Sequence, residues 1–390
     1  MIEGEARAES WELSRACARF AAGLDDGTNV VALVDRIVDL EEAIATTRNQ
    51  GLLAWLARAL ASRASTELAT AVRDARVTDA ARTLAQVRLL GTITNAFSRA
   101  NIPMLPYKGP ALSLQLYGDV ALRDSTDLDI VVAKADYQRA RAELHGLGLP
   151  SRGGHSAMRE RTLFGWLGHA SFGRGRDDFV ELHWRFAPAQ FAFALDPMRA
   201  LERCVVSMVA GVTLPLMATD DLLATLSMHG TRHMYERLEW LSGVTRLLLE
   251  TADSPTSLVR QASALRAKRM LLASVHVAHR VLGFPISREW IAELRNEHEA
   301  VSAGEGIALH LEACGSRGMA PLDGLSLQLL YGRLTDSRRD QLGSIVRAAL
   351  MPTEQDADCV TLPDGLTPLY WVVRPFRLIH KYTWRMVGRA

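Results

Sequence analysis

Lysine is nearly missing from this chain: of its 45 basic residues only Lys108, Lys134, Lys268 and Lys381 are lysine, and arginine supplies the rest. A lysine kept against that bias and set beside glycine, as in Lys108-Gly109, is a compact point charge of the kind that meets phosphate. Its simpler alternative is a side chain snorkelling from a strand end. Cysteine is scarce too. Cys17, Cys204, Cys314 and Cys359 lie far apart with no CxxC among them, which argues against a disulfide framework and fits reduced, packed thiols. No apolar run approaches the ~18 residues of a membrane span. The acidic start Met1-Ile2-Glu3-Gly4-Glu5 is unlike a signal peptide, so a soluble cytoplasmic protein is expected. Net charge is only +1, which offers no global field for a long nucleic acid. There is no GxxxxGK[ST] loop, no GxGxxG after a strand and no GxSxG elbow. P-loop kinases, Rossmann oxidoreductases and α/β-hydrolases are disfavoured accordingly.

What remains is a 390-residue chain, 48% hydrophobic and 23% charged, long enough for a sizeable core and two or three lobes. Residues 1–100 read as a helical region, with apolar positions recurring at three and four, as in Leu84, Val87, Leu90 and Ile93. A core follows over 101–192. Ile102 to Tyr107 reads as an edge strand carrying two prolines. Gly109-Pro110 opens a helix that Gly118 closes, and Ile130-Val131-Val132 forms the next strand. A helix around Tyr137 to Leu144 and strands at Ala170-Phe172 and Phe179-Trp184 complete the core, the last two joined by Gly173-Arg174-Gly175-Arg176-Asp177. From about 195 the pattern reads as helical again, giving a helical domain over 193–350. A basic helical segment over 351–390 ends the chain, kinked at Pro375.

The chemistry sits at Asp127-Leu128-Asp129. A strand sends residues i and i+2 to one face, so two carboxylates stand about 7 Å apart along the backbone. They repel and lose hydration unless a cation lies between them. Magnesium (or manganese) suits such a pair, because it takes a few carboxylates and completes its shell with water and substrate phosphates. Alternation in the last strand puts Glu181 and His183 on a common face, which makes Glu181 a credible third acid. Lys108, Gly109 and the following helix start offer a positive end for phosphates. Arg123 and Ser125 flank the acidic loop and are candidates for phosphate contact; a salt bridge to Asp119 or Asp124 and a turn hydrogen bond are their structural alternatives. His183 is read as a hydrogen-bonded structural group. His229 and His233, four apart on a helix, have a zinc-like spacing but lack the Glu of HExxH and are read as packing. Arg374, Arg377, Lys381 and Arg385 form one basic helical stripe, by default a solvated face.

These segments resemble a largely uncharacterised bacterial nucleotidyltransferase family of the polymerase-β-like superfamily. The specific block is Tyr-Lys-Gly-Pro-Ala-Leu at 107–112, Leu-Tyr-Gly-Asp at 116–119 and Arg-Asp-Ser-Thr-Asp-Leu-Asp-Ile-Val-Val at 123–132. Glu181-Leu182-His183-Trp184, His229-Gly230-Thr231-Arg232-His233 with Arg237-Leu238-Glu239-Trp240-Leu241, and Arg374-Pro375-Phe376 are similar to its later motifs. The resemblance implies an α+β fold: a small mixed sheet with helices, carboxylates on neighbouring strands, flanked by large helical regions. It also implies Mg²⁺ and a nucleoside triphosphate such as ATP. Three positions depart from the pattern: Lys108-Gly109-Pro110 stands where Gly-Ser or Gly-Gly is usual, Glu181 where aspartate is commoner, and Gly243 where an aspartate is expected.

The reading is therefore a Mg-dependent nucleotidyltransferase acting on a hydroxyl of a small molecule, peptide or protein, in a tailoring pathway by resemblance. Asp127, Asp129 and Glu181 are its catalytic and metal-binding acids, and Lys108, Gly109, Arg123 and Ser125 its nucleotide contacts. Two alternatives stand beside it: a catalytically weak nucleotide sensor or partner-binding protein on the same fold, and a toxin-like enzyme that modifies tRNA. Clustered carboxylates predict metal linkage. Mg²⁺ or Mn²⁺ should raise the melting temperature and nucleotide affinity, and Asp129→Asn should abolish the gain; an unchanged metal response in that variant would count against the assignment.

Overall fold

In this computed structural model the described residues are 2–63, 67–152, 168–175, 178–188, 191–209, 212–317, 324–353, 356 and 359–387. The central sheet has the order β1-β2-β4-β3, with β1 at Met104–Pro106, β2 at Leu128–Val132, β3 at His169–Phe172 and β4 at Val180–His183. β2 runs antiparallel to β1 and parallel to β4, while β3 returns antiparallel to β4. This small mixed sheet is the α+β core expected from the sequence. Pro106 sits on the edge strand, where a missing N–H disturbs no ladder. The turn residues Arg176 and Asp177 lie outside the described residues.

The two sheet faces enter different cores. Ile130, Val132, Val180 and Leu182 pack on Tyr137, Ala140 and Leu144 of the helix Tyr137–Gly146, and on Leu90, Ile93 and Phe97 of the long helix Glu67–Arg99. On the other face Leu105, Tyr107 and Val131 join a larger helical core. That core takes Leu13 and Cys17 of the first helix, Ile2–Ala22, together with Leu222 and Leu223 of Thr219–Arg232, Leu241 and Val244 of Leu238–Glu250, and Ile307 of His298–Arg317. The N-terminal helical region is thus divided: residues up to Val72 enter the helical core and Leu90–Phe97 the sheet core.

Two local readings need correction. Residues 205–209 and 212–216 do not continue a helix but form an antiparallel pair, β5 (Val205–Val209) and β6 (Val212–Leu216). Their β-branched residues around a Gly are a hairpin signal outweighed by the helical segments on either side. Leu214 and Leu216 bury against the sheet core, whereas Val205, Val206 and Met208 remain exposed. The C-terminal stripe is not simply solvated: Arg374 and Arg377 of Tyr370–Val387 both pair with the buried Asp356. The side chains of Lys381 and Arg385 lie outside the described residues.

The helix Thr219–Arg232 ends without glycine. Met234 and Tyr235 take left-handed φ values of 54° and 50°, and the Tyr235 N–H donates to the Gly230 carbonyl at 2.8 Å. The reversal lays the buried Tyr235 ring on Gly230, and its hydroxyl donates to Ser274 Oγ at 2.7 Å. A Cβ on Gly230 would stand 2.1 Å from Tyr235 Cε1. Gly230→Ala should therefore destabilise the protein by about 1–3 kcal/mol or more, the scale of overpacking a closed core. Chemical denaturation checks this; a variant with wild-type stability would refute the close approach.

Candidate active site

Asp129 is the second residue of β2, and Asp127 lies two positions before it on the same face. The parallel pairing sets Glu181 directly opposite Asp129 and His183 opposite Val131. Adjacent strands lie about 4.8 Å apart, so the three carboxylates converge. One oxygen from each of Asp127, Asp129 and Glu181 lies within 4.8 Å of the others.

Asp129 is 1% exposed, and its contacts fall on a single oxygen. Oδ1 receives Lys108 Nζ at 3.0 Å, His183 Nε2 at 2.9 Å and the Tyr107 hydroxyl at 3.4 Å. Oδ2 is buried with no hydrogen-bond partner among the described residues. His183 Nε2 also lies 3.2 Å from Glu181 Oε2, so this histidine bridges two acids. Burial alone would raise the Asp129 carboxyl, but the Lys108 ammonium and the His183 hydrogen bond hold it well below the usual range. Glu181 is likewise lowered, the His183 hydrogen bond outweighing burial. His183 is raised despite burial, because it faces Asp129 and Glu181. Among the described residues Asp127 has no such hydrogen bond; burial, then repulsion from Asp129, outweighs the pull of Lys108 and pushes it up to about 6.

Lys108 caps the helix Gly109–Tyr117 through its backbone and turns its side chain to Asp129. Gly109 adopts φ +62°, and a Cβ there would meet the Asp127 carbonyl at 3.3 Å, so only glycine lets this helix start approach the acidic strand. Arg123 and Ser125 act underneath. Arg123 is ion-paired with the buried Glu239, not with Asp119 or Asp124. Ser125 Oγ donates to the Asp127 carbonyl at 2.7 Å, and Gln86 Nε2 donates to the Ser125 carbonyl at 3.2 Å. Gly243, where an aspartate was expected, faces Leu116 so closely that a Cβ would come within 3.0 Å of its Cδ1.

The acids open into a cleft of about 260 Å³ whose far wall includes Thr225, Met228, His229 and Arg232 of Thr219–Arg232. Sequence reasoning missed three of the residues here. His169, whose ring stacks on His183 at 4.8 Å and whose Nε2 lies 3.8 Å from Glu181 Oε1, reaches the site only through the antiparallel return of β3. Arg185 and Arg232 also line the cleft; the spacing of His229 and Arg232 on one helix face was the available signal for the latter. His229 and His233 rest against each other and Trp240, with centroids 4.8, 4.7 and 5.6 Å apart. Burial, then Lys108, keeps His229 well below its ordinary pKa. Both rings also line the cleft.

The profile of a family described as "Uncharacterised nucleotidyltransferase" matches residues 37–283, a span that holds the sheet and the helix facing it. A search of curated proteins found no match. Among solved structures the chain is similar to the solution structure of the antibiotic-resistance factor ANT(2'')-Ia, at 15% identity and a TM-score of 0.29, covering 58% of this chain and 97% of that one.

The raised Asp127 pKa has a sign that can be measured. The folded state holds this proton up to about pH 6, whereas an unperturbed aspartate loses it near ~3.9. Asp127 thus costs stability increasingly as pH rises through that interval, fully above it. A cation bound there requires the deprotonated form, so its affinity should climb as pH passes 6. The Mg²⁺-induced gain in melting temperature should be clearly larger at pH 7.5 than at pH 5; equal gains would exclude Asp127 as a ligand.

Proposed function

The chain belongs to the family of uncharacterised nucleotidyltransferases, and from that premise we propose a divalent-metal-dependent enzyme that transfers a nucleoside monophosphate from a nucleoside triphosphate to a hydroxyl group. The acceptor is a small molecule, a peptide or a protein. The observation that carries this reading is the convergence of Asp127, Asp129 and Glu181 within 4.8 Å, with the buried Oδ2 of Asp129 left without a hydrogen-bond partner among the described residues. An all-oxygen carboxylate set fits a hard cation such as Mg²⁺ or Mn²⁺. Bound by these three acids, the ion supplies neutralisation of phosphate charge.

The protein's own groups divide the remaining work. The acceptor oxygen bonds to the α-phosphorus, the bond from that phosphorus to the bridging oxygen breaks, and pyrophosphate leaves. Glu181, whose side chain is 20% exposed where that of Asp129 is fully buried, takes the acceptor proton. His183 orients Asp129 and Glu181 together. Lys108 and Gly109, at the start of the helix, face the phosphates. Arg123 and Ser125 hold the loop entering β2 in place from below. The neutral overall charge favours an acceptor smaller than a nucleic acid.

One contact favours a second reading. Lys108 already neutralises Asp129, as suits a protein that binds nucleotide without turning it over. Pyrophosphate release from ATP, GTP, CTP and UTP, measured with Mg²⁺ and candidate hydroxyl acceptors, separates the two. The enzyme predicts metal-dependent release that Asp127→Ala reduces by at least about a hundredfold, the scale of losing a charge-stabilising group, with a melting temperature near wild type. Tight binding without release would favour the binder; undiminished release from Asp127→Ala would overturn the catalytic assignment.

A further inference from the structure

Several arginines that leave bulk solvent in this fold are matched to carboxylates. Arg123 meets Glu239, Arg269 meets Glu297, and Arg374 and Arg377 share Asp356. Arg185 and Arg232 differ. Both are half-buried on the wall of the cleft that contains Asp127 and Glu181. Among the described residues neither guanidinium has a carboxylate within ion-pair distance; that of Arg232 lies over the Phe191 ring, 5.3 Å from its centroid, and feels Glu181 only at longer range. A half-buried guanidinium without a counter-charge is costly, and burial accordingly lowers the basicity of Arg232. Lys108, the third cation of the cleft, is held by Asp129. The uncommitted positive charge therefore belongs to the two arginines.

We infer that Arg185 and Arg232 grip the triphosphate of the nucleotide, one from the end of β4 and the other from the last turn of Thr219–Arg232. This assignment rests on the nucleotidyltransferase reading above and deepens it. A guanidinium is a planar fork that engages two phosphate oxygens at once. An oligophosphate presents such oxygen pairs in series and so engages both forks, whereas a carboxylate satisfies one. The polyanion would also link the sheet to the helical core, because its two ligands come from different sides of the cleft.

Calorimetric titration of ATP, inorganic tripolyphosphate and adenosine, each with and without Mg²⁺, tests the assignment on the full chain. Arg185→Gln and Arg232→Gln should each weaken tripolyphosphate and ATP about ten- to a hundredfold, as expected for a lost charge-assisted fork. Adenosine binding should be unchanged, and Arg232→Lys should fall between wild type and Arg232→Gln. Asp127→Asn should lose the Mg²⁺ dependence yet keep metal-free tripolyphosphate binding, which distinguishes the arginine grip from the acidic site. Glutamine variants that bind tripolyphosphate within about twofold of wild type overturn this assignment alone. A wild-type protein that binds neither ATP nor tripolyphosphate overturns the nucleotide reading and this inference with it. Should Arg232→Gln fail to fold, Arg185→Gln and Arg232→Lys decide the matter.

Discussion

Three carboxylates forced onto one face of a small sheet are the constraint around which this protein is built. Their repulsion and lost hydration must be offset, and the neighbouring residues do so unevenly. Asp129, the most buried, receives Lys108, His183 and Tyr107 on a single oxygen. Glu181 shares His183. Asp127 is left without such help and stays easily protonated, with a pKa of about 6. The asymmetry leaves an acid of low proton affinity beside one of high proton affinity, with Oδ2 of Asp129 buried and without a hydrogen-bond partner among the described residues.

Holding that arrangement requires close backbone approaches more than bulk. The positive φ of Gly109 lets a helix start press on the Asp127 carbonyl, and the Arg123–Glu239 pair anchors the same loop to the helical core. Gly243 lets Leu116 of that helix seat against Leu238–Glu250. At Gly230 the same economy of volume receives the Tyr235 ring and turns the chain after Arg232. Small residues thus stand where elements carrying the cleft cross, and each sets how near one wall comes to the other.

Much of the sheet was legible because it depends on local rules. Period-two alternation put Asp127 with Asp129 and Glu181 with His183 on common faces, and Gly-Pro at 109–110 marked a helix start. The fold class followed from the family resemblance that those segments carry. The β5–β6 pair was missed since its short β-branched runs lie between long helical stretches that dominate any window. His169 was missed because its position depends on which strand β3 pairs with and in which direction. The ion pair of Arg123 with Glu239 was not legible, because the partner lies more than a hundred residues away.

By itself, then, the sequence determined the chemical types at the site and the faces they occupy, because spacing along a strand or helix is a property of the backbone's own repeat. Tertiary structure alone decided the register that sets Glu181 opposite Asp129, the oxygen on which Lys108 settles, and the approach of Arg232 from a helix nearly a hundred residues downstream. Those outcomes depend on strand pairing and on packing between distant segments. Such long-range contacts are selected by the total burial and charge balance of the folded chain, which no local pattern encodes.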